Sequence, residues 1–141
     1  MQKKINCERC LVINAYQRLK KNSSINIIHY EVPLLGRSID LAYILNGKLF
    51  AVEFKLKNWR RAIRQAKDYK LGVDFAYICM PERDVSTIMR KAIEDAEVGL
   101  IFYRETGKWP FKEIIKAPKS QEIWNKANLK LKIYLENAHN L

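Results

Sequence analysis

An Asn-Gly pair at positions 46 and 47 joins two runs, Ile39 to Leu45 (IDLAYIL) and Lys48 to Lys55 (KLFAVEFK), both rich in β-branched and aromatic residues. Asn-Gly between such runs is the strongest short hairpin signal, because a two-residue type I′ turn needs positive φ at both central positions. The turn then dictates register. Leu45 faces Lys48, Tyr43 faces Phe50, Leu41 faces Val52, and the last step sets Asp40 opposite Glu53. A three-residue loop would shift the register by one and move every side chain to the other face.

The two-residue register has a chemical consequence. Directly opposed residues have Cβ atoms about 4.5–5.5 Å apart, and two ionised carboxylates at that range repel by about 3 kcal/mol at an effective dielectric near 20. A cation between them would remove the repulsion. Strand alternation places Lys55 on the same face as Glu53, with Phe54 on the other. A divalent ion can supply the remaining charge, since Mg²⁺ is commonly held by one or two carboxylates together with waters and phosphate oxygens. Behind the acids the same face carries Ala42 with Ala51, small enough to admit a metal or a neighbouring helix, while Leu41, Val52, Tyr43 and Phe50 form the opposite, core face.

At 141 residues with 48% apolar content, the chain is read as a single domain over 1–141. No stretch approaches the roughly 18 uninterrupted apolar residues of a membrane span, and the opening MQKKINCERC lacks a signal-peptide core. A cytoplasmic protein with no membrane partner is the expectation. The net charge of +11 favours a polyanionic partner, although a lysine-rich solvated surface would give the same total. Its distribution is more telling. Lys55, Lys57, Arg60, Arg61, Arg64, Lys67 and Lys70 crowd next to the acid pair against only Asp68. Cys7, Cys10 and Cys79 are too few and odd in number for a disulfide framework; Cys7-x-x-Cys10 is half a zinc site without its second half, so the three are read as small buried hydrophobes.

Along the chain, residues 5–21 read as a helix with Glu8, Val12, Ala15 and Leu19 on one stripe. Glu8 on an apolar face needs a partner, unless Arg9 or a displaced helix start leaves it in solvent. Ile25 to Val32 is a strand closed by Pro33, and the hairpin follows. Asn58 is the N-cap of an amphipathic helix with Trp59, Ala62, Ile63, Ala66 and Tyr69 on its apolar face. Phe75 to Met80 and Gly99 to Tyr103 are buried strands on either side of a helix marked by Val85, Ile88, Met89, Ala92 and Ala96. Trp109 to Ile115 pairs back as an edge strand, and a terminal helix from Ser120 to about Asn137 presents Ile123, Trp124, Ala127, Leu131 and Leu135.

The α-β-β-β-α-β order, with Asp40 beginning the second strand and Glu53-Phe54-Lys55 ending the third, resembles the PD-(D/E)XK nuclease superfamily, whose members include junction resolvases and RecB-type nucleases. The resemblance implies a restriction-endonuclease-like α/β fold: a three-layer αβββαβ core over about 1–80, a central mixed sheet with helices on both faces, and a C-terminal extension over about 81–141 adding strand and helix. It implies that Asp40, Glu53 and the main-chain carbonyl of Phe54 bind Mg²⁺ or Mn²⁺, and that Lys55 orients or activates water. Glu8 matches an additional metal-site residue of the first helix. Gln65-x-x-x-Tyr69 looks like the Q-x-x-x-Y element of RecB-type exonucleases, near active site and substrate backbone. Ile39 stands where the nominal proline precedes the aspartate, an element that is loosely kept.

The function expected is metal-dependent hydrolysis of DNA phosphodiesters, structure-selective at junctions or exonucleolytic, on double-stranded or branched DNA. Lys57, Arg60, Arg61, Arg64, Lys67 and Tyr69 would hold the backbone. A junction-cutting mode implies a homodimer pairing two active sites. Two other classes remain: a DNA-binding module with the nuclease fold but no turnover, and a protein-interaction domain using Trp59, Trp109 and Trp124.

Overall fold

The structure, a computed structural model, describes residues 7–139. The expected start of the first helix at Ile5 lies outside the described residues. In chain order the elements are α1 (Glu8–Lys20), β1 (Ile25–Leu34), β2 (Arg37–Leu45), β3 (Lys48–Phe54), α2 (Trp59–Tyr69), β4 (Phe75–Met80), α3 (Thr87–Asp95), β5 (Gly99–Tyr103), β6 (Phe111–Ile115) and α4 (Asn125–His139). The six strands form one mixed sheet in sequence order. β1, β2 and β3 are an antiparallel meander, β3, β4 and β5 run parallel, and β6 returns antiparallel to β5. This is the mixed α/β architecture and the αβββαβ order expected above. The sheet continues unbroken from β4 into β5 beyond residue 80.

Helices cover both faces. On one side α1 buries Leu11, Val12, Ala15 and Leu19 among Leu41, Tyr43, Val52, Phe54 and Cys79. On the other, α2, α3 and α4 bury Ala62, Ala66, Tyr69, Met89, Ile93, Ala127, Leu131 and Leu135 with Ala42, Ala51 and Ile78. Ala42 and Ala51 are both fully buried beneath this layer. Their small side chains make room for a helix rather than for a metal. Among the described residues no helix is long and apolar enough to cross a membrane.

The hairpin has the register the Asn-Gly turn demands. Asn46 (φ 51°) and Gly47 (φ 76°) are both left-handed, as a type I′ turn requires, and the pairs run from Leu45–Lys48 to Leu41–Val52. One step further the backbone ladder stops and Asp40 comes opposite Glu53.

Four expectations need correction. Pro33 does not close β1, which continues to Leu34 with Pro33 opposite Ser38; β1 is an edge strand, where a missing donor is harmless. Cys7 and Cys10 are exposed and bonded to each other as a disulfide, and only Cys79 is a buried hydrophobe. α4 starts at Asn125 rather than Ser120, because the preceding segment is drawn back onto the α2–β4 connection: the Ser120 N–H donates to the Asp74 carbonyl and the Trp124 N–H to the Leu71 carbonyl. Trp124 accordingly faces solvent rather than the core.

A Cβ on Gly47 would meet nothing within 4 Å, so Gly47→Ala tests backbone conformation alone. We expect a loss of about 1 kcal/mol, seen in urea denaturation as a lower midpoint with an unchanged slope.

Candidate active site

β2 and β3 deliver two carboxylates to one place. The Asp40 Oδ2 accepts the Phe54 N–H at 2.8 Å, so the aspartate side chain takes over where the β2–β3 ladder ends. Glu53 is almost sealed, at 3% exposure. Its Oε1 lies 2.6 Å from the Tyr69 hydroxyl, which also sits 3.0 Å from the Ser38 carbonyl. One hydroxyl proton cannot fully serve both acceptors. The shorter contact makes Glu53 the main acceptor, yet one shared O–H is scant support for a buried carboxylate charge.

Electrostatics point the same way. Burial, then the neighbouring Asp40 charge, push the Glu53 carboxyl up to about 8, against the opposing pull of the Tyr69 hydrogen bond and Lys55. Asp40 is also raised, chiefly by burial. Tyr69 is raised too, by its own burial and then by Glu53. The charge that relieves part of this strain is the Lys55 ammonium, 3.8 Å from Glu53 Oε2 and 3.7 Å from Glu8 Oε2. Glu8 enters from α1, and its Oε1 accepts the Leu56 N–H at 3.2 Å. Arg9 turns instead to Glu31, so the partnered alternative for Glu8 holds.

The Phe54 carbonyl can be placed by peptide geometry. The Lys55 N–H donates to the Cys79 carbonyl on β4 at 3.0 Å, and in a trans peptide the preceding C=O points oppositely. It therefore faces the β2 side, where Asp40 stands. Two carboxylates, one of them short of positive charge, and a carbonyl directed to the same side form an all-oxygen donor set suited to Mg²⁺ or Mn²⁺. Among the described residues no three His, Cys, Asp or Glu side chains gather as a metal cluster. The Glu8 carboxylate stands in the pocket wall, engaged by the Lys55 ammonium and the Leu56 N–H.

These groups line a cavity of about 280 Å³ that includes Glu8, Asp40, Glu53, Lys55 and Gln65. Gln65 Oε1 is buried without a partner among the described residues. Gln65 also lines a second cavity of about 960 Å³ bordered by Arg37, Arg61, Arg64, Lys67 and Lys70. Arg37 pairs with Asp68 and Lys70 with Glu97, whereas Arg61, Arg64 and Lys67 have no ion-pair partner among the described residues.

The other nucleic-acid residues named from sequence lie elsewhere. Arg60 stacks over Trp59 at 4.2 Å, and Lys57 borders a separate cavity beside Leu56 and Tyr103. Tyr69, at 1% exposure, sits behind Glu53 and cannot present a surface to a nucleic-acid backbone; its position in the apolar stripe of α2 buries it. Sequence reasoning also missed Arg37, because nothing in a strand-initial arginine signals which helix it will face. Ser38 and Leu56 were invisible for another reason: they act through main-chain atoms.

The fold has solved counterparts. An XisH family protein from Nostoc punctiforme matches 76% of this chain and 98% of its own at 16% identity, with a TM-score of 0.50. A Vibrio cholerae protein, VC1899, matches 65% of this chain at 18% identity (TM-score 0.49), and a repair endonuclease from Pyrococcus abyssi matches 84% at 14% identity (TM-score 0.43). The chain spans 28% of the Vibrio protein and 50% of the Pyrococcus one. No family model and no curated protein matches the sequence.

A carboxyl whose pKa is raised in the folded state binds its proton more tightly there than in the unfolded chain. Its stabilising contribution is full below about 4.5, declines as pH rises, and is gone above about 8. In EDTA, the melting temperature of the wild type should therefore fall across this window, and Glu53→Gln should flatten much of that slope. Equal slopes in thermal melts from pH 5 to 9 would contradict the assignment.

Proposed function

We propose that this chain is a metal-dependent nuclease that hydrolyses DNA phosphodiester bonds. What supports the reading is the pairing of Asp40 with a buried, charge-starved Glu53 across the hairpin, with the Phe54 carbonyl and the Lys55 ammonium at the same end of the sheet. A divalent ion at this donor set would polarise a phosphoryl oxygen and lower the pKa of water.

Asp40, Glu53 and the Phe54 carbonyl would hold that ion. Tyr69 fixes the rotamer of Glu53 from behind, so that Oε2 faces the pocket and Oε1 does not. Lys55 is half-buried between two acids, which keeps an ammonium in place to orient an attacking water and to offset charge that develops on the phosphoryl group. The unpartnered Gln65 Oε1 would accept a hydrogen bond from a water held at this site. Arg61, Arg64 and Lys67 border the adjoining groove, where they would hold phosphates without reading bases.

The deciding experiment is a panel of end-labelled linear duplex, single-stranded, nicked and four-way-junction DNAs incubated with Mg²⁺, Mn²⁺ or EDTA. Cleavage should require the metal and fall by about 10²-fold or more in Glu53→Ala and in Lys55→Ala. The pattern of products separates branch cutting from digestion at ends. Binding without cleavage of any substrate would instead identify a DNA-binding module on a nuclease fold.

The groove makes a separate prediction. Arg61→Ala with Arg64→Ala should weaken binding similarly for all DNA sequences and lower the slope of log affinity against log salt by about 2. Fluorescence anisotropy over a salt series measures both.

A further inference from the structure

The proposed chemistry leaves one reactive group unused, the disulfide between Cys7 and Cys10. Both cysteines are exposed, open to small thiols and disulfides. The bridge closes a loop of only four residues, the weak end of disulfide stabilisation, and an exposed bridge is of the labile kind. A structural staple is therefore a poor account of it.

Its position suggests another. Cys7 is the N-cap of α1: its Sγ accepts the Cys10 N–H at 3.0 Å and its carbonyl accepts the Leu11 N–H at 3.1 Å. Glu8 lies inside the bridged turn, and its carboxylate reaches across to the Leu56 N–H and the Lys55 ammonium. The bridge thus constrains the backbone that carries the acidic side chain paired with Lys55 across the pocket.

We propose that Cys7 and Cys10 form a thiol–disulfide exchange site whose oxidation state sets how firmly Glu8 is held in the pocket, and through its charge how tightly the pocket binds a divalent cation. The proposal rests on the metal-site reading above. With a small disulfide RSSR as oxidant, one cysteine sulfur displaces RSH to give a mixed disulfide, and the second displaces another. The R–S–S–R bond breaks, the Cys7–Cys10 bond forms, two electrons pass to the oxidant, and both thiol protons leave on two RSH. A small dithiol reverses the step.

In the oxidised form the first turn of α1 is cross-linked and Glu8 stays beside Lys55. In the reduced form the sulfurs separate to van der Waals contact, the turn relaxes and the carboxylate recedes. A carboxylate that moves from about 8 Å to about 10 Å from a divalent ion, at an effective dielectric near 20, changes its affinity on the order of five-fold.

The test is Mn²⁺ titration calorimetry on the full chain, oxidised with glutathione disulfide or reduced and desalted, with thiol counting to confirm each state. The oxidised wild type should bind Mn²⁺ on the order of five-fold more tightly than the reduced protein. Cys7→Ser with Cys10→Ser should bind as the reduced form under both conditions, and Glu8→Gln should still form the bridge yet lose the redox dependence. Equal affinities with the bridge formed, a bridge that never forms, or a redox effect that persists in either variant would overturn the proposal. No Mn²⁺ binding in either state would overturn it together with the metal site. A redox-dependent Mn²⁺ affinity without any DNA cleavage would support it while removing the nuclease reading.

Discussion

A carboxylate at 3% exposure beside a second carboxylate is the condition around which the rest of this structure is arranged. Neither burial nor the like charge favours an ionised Glu53, and the protein supplies only partial relief: one lysine at 3.8 Å and one tyrosine hydroxyl at 2.6 Å. Such a site holds a proton or a cation. The same demand accounts for the placement of Lys55, whose other neighbour is also acidic, and for the burial of Tyr69, whose hydroxyl is used at the base of the pocket rather than at its mouth.

The sheet makes that arrangement reproducible. Asp40 and Glu53 are not adjacent in sequence, yet a two-residue turn five pairs away fixes them opposite each other. The parallel neighbour β4 then sets the direction of the Phe54 carbonyl through the Lys55–Cys79 hydrogen bond. α2 can lie close over this region because Ala42, Ala51, Ala62 and Ala66 are all small and buried. That closeness brings Tyr69 to Glu53 from one turn of the helix and Gln65, one turn earlier, to the pocket wall. Arginines on the outer face of the same helix border the adjoining groove.

Much of this was legible in the sequence where the cause is local. The Asn-Gly turn specified the register, the Asn58 cap began α2 where expected, and β4 and β5 were recognisable as short apolar runs. Legibility ended where tertiary contacts decide. Pro33 reads as a terminator unless the strand is known to be an edge, and the start of α4 depends on Ser120 and Trp124 bonding to a loop fifty residues away. At the site, the residue types and their strands were readable, whereas the task of each was not. Tyr69 lies on the apolar stripe and is also polar at its tip, so only packing decides whether it meets a substrate or supports an acid. Cys7 and Cys10 were read as core residues because a pair of cysteines is apolar by type; their exposure follows from the helix start, which hydrophobic spacing locates poorly.

The pocket joins two kinds of support. Asp40, Glu53 and the Phe54 carbonyl sit on central strands, where Glu53 and Phe54 are paired to β4 and the Phe54 N–H is held by the Asp40 side chain. Glu8 arrives on a helix end, with its side chain 42% exposed and its polar contacts among the described residues made to Lys55 and one main-chain N–H. Displacing a strand-borne acid would mean breaking the sheet; displacing Glu8 needs only the first turn of α1 to shift. On the metal-site reading, the fold separates the groups that would define the donor set from a charge that would adjust its strength. That less constrained carboxylate is the one placed between the two cysteines.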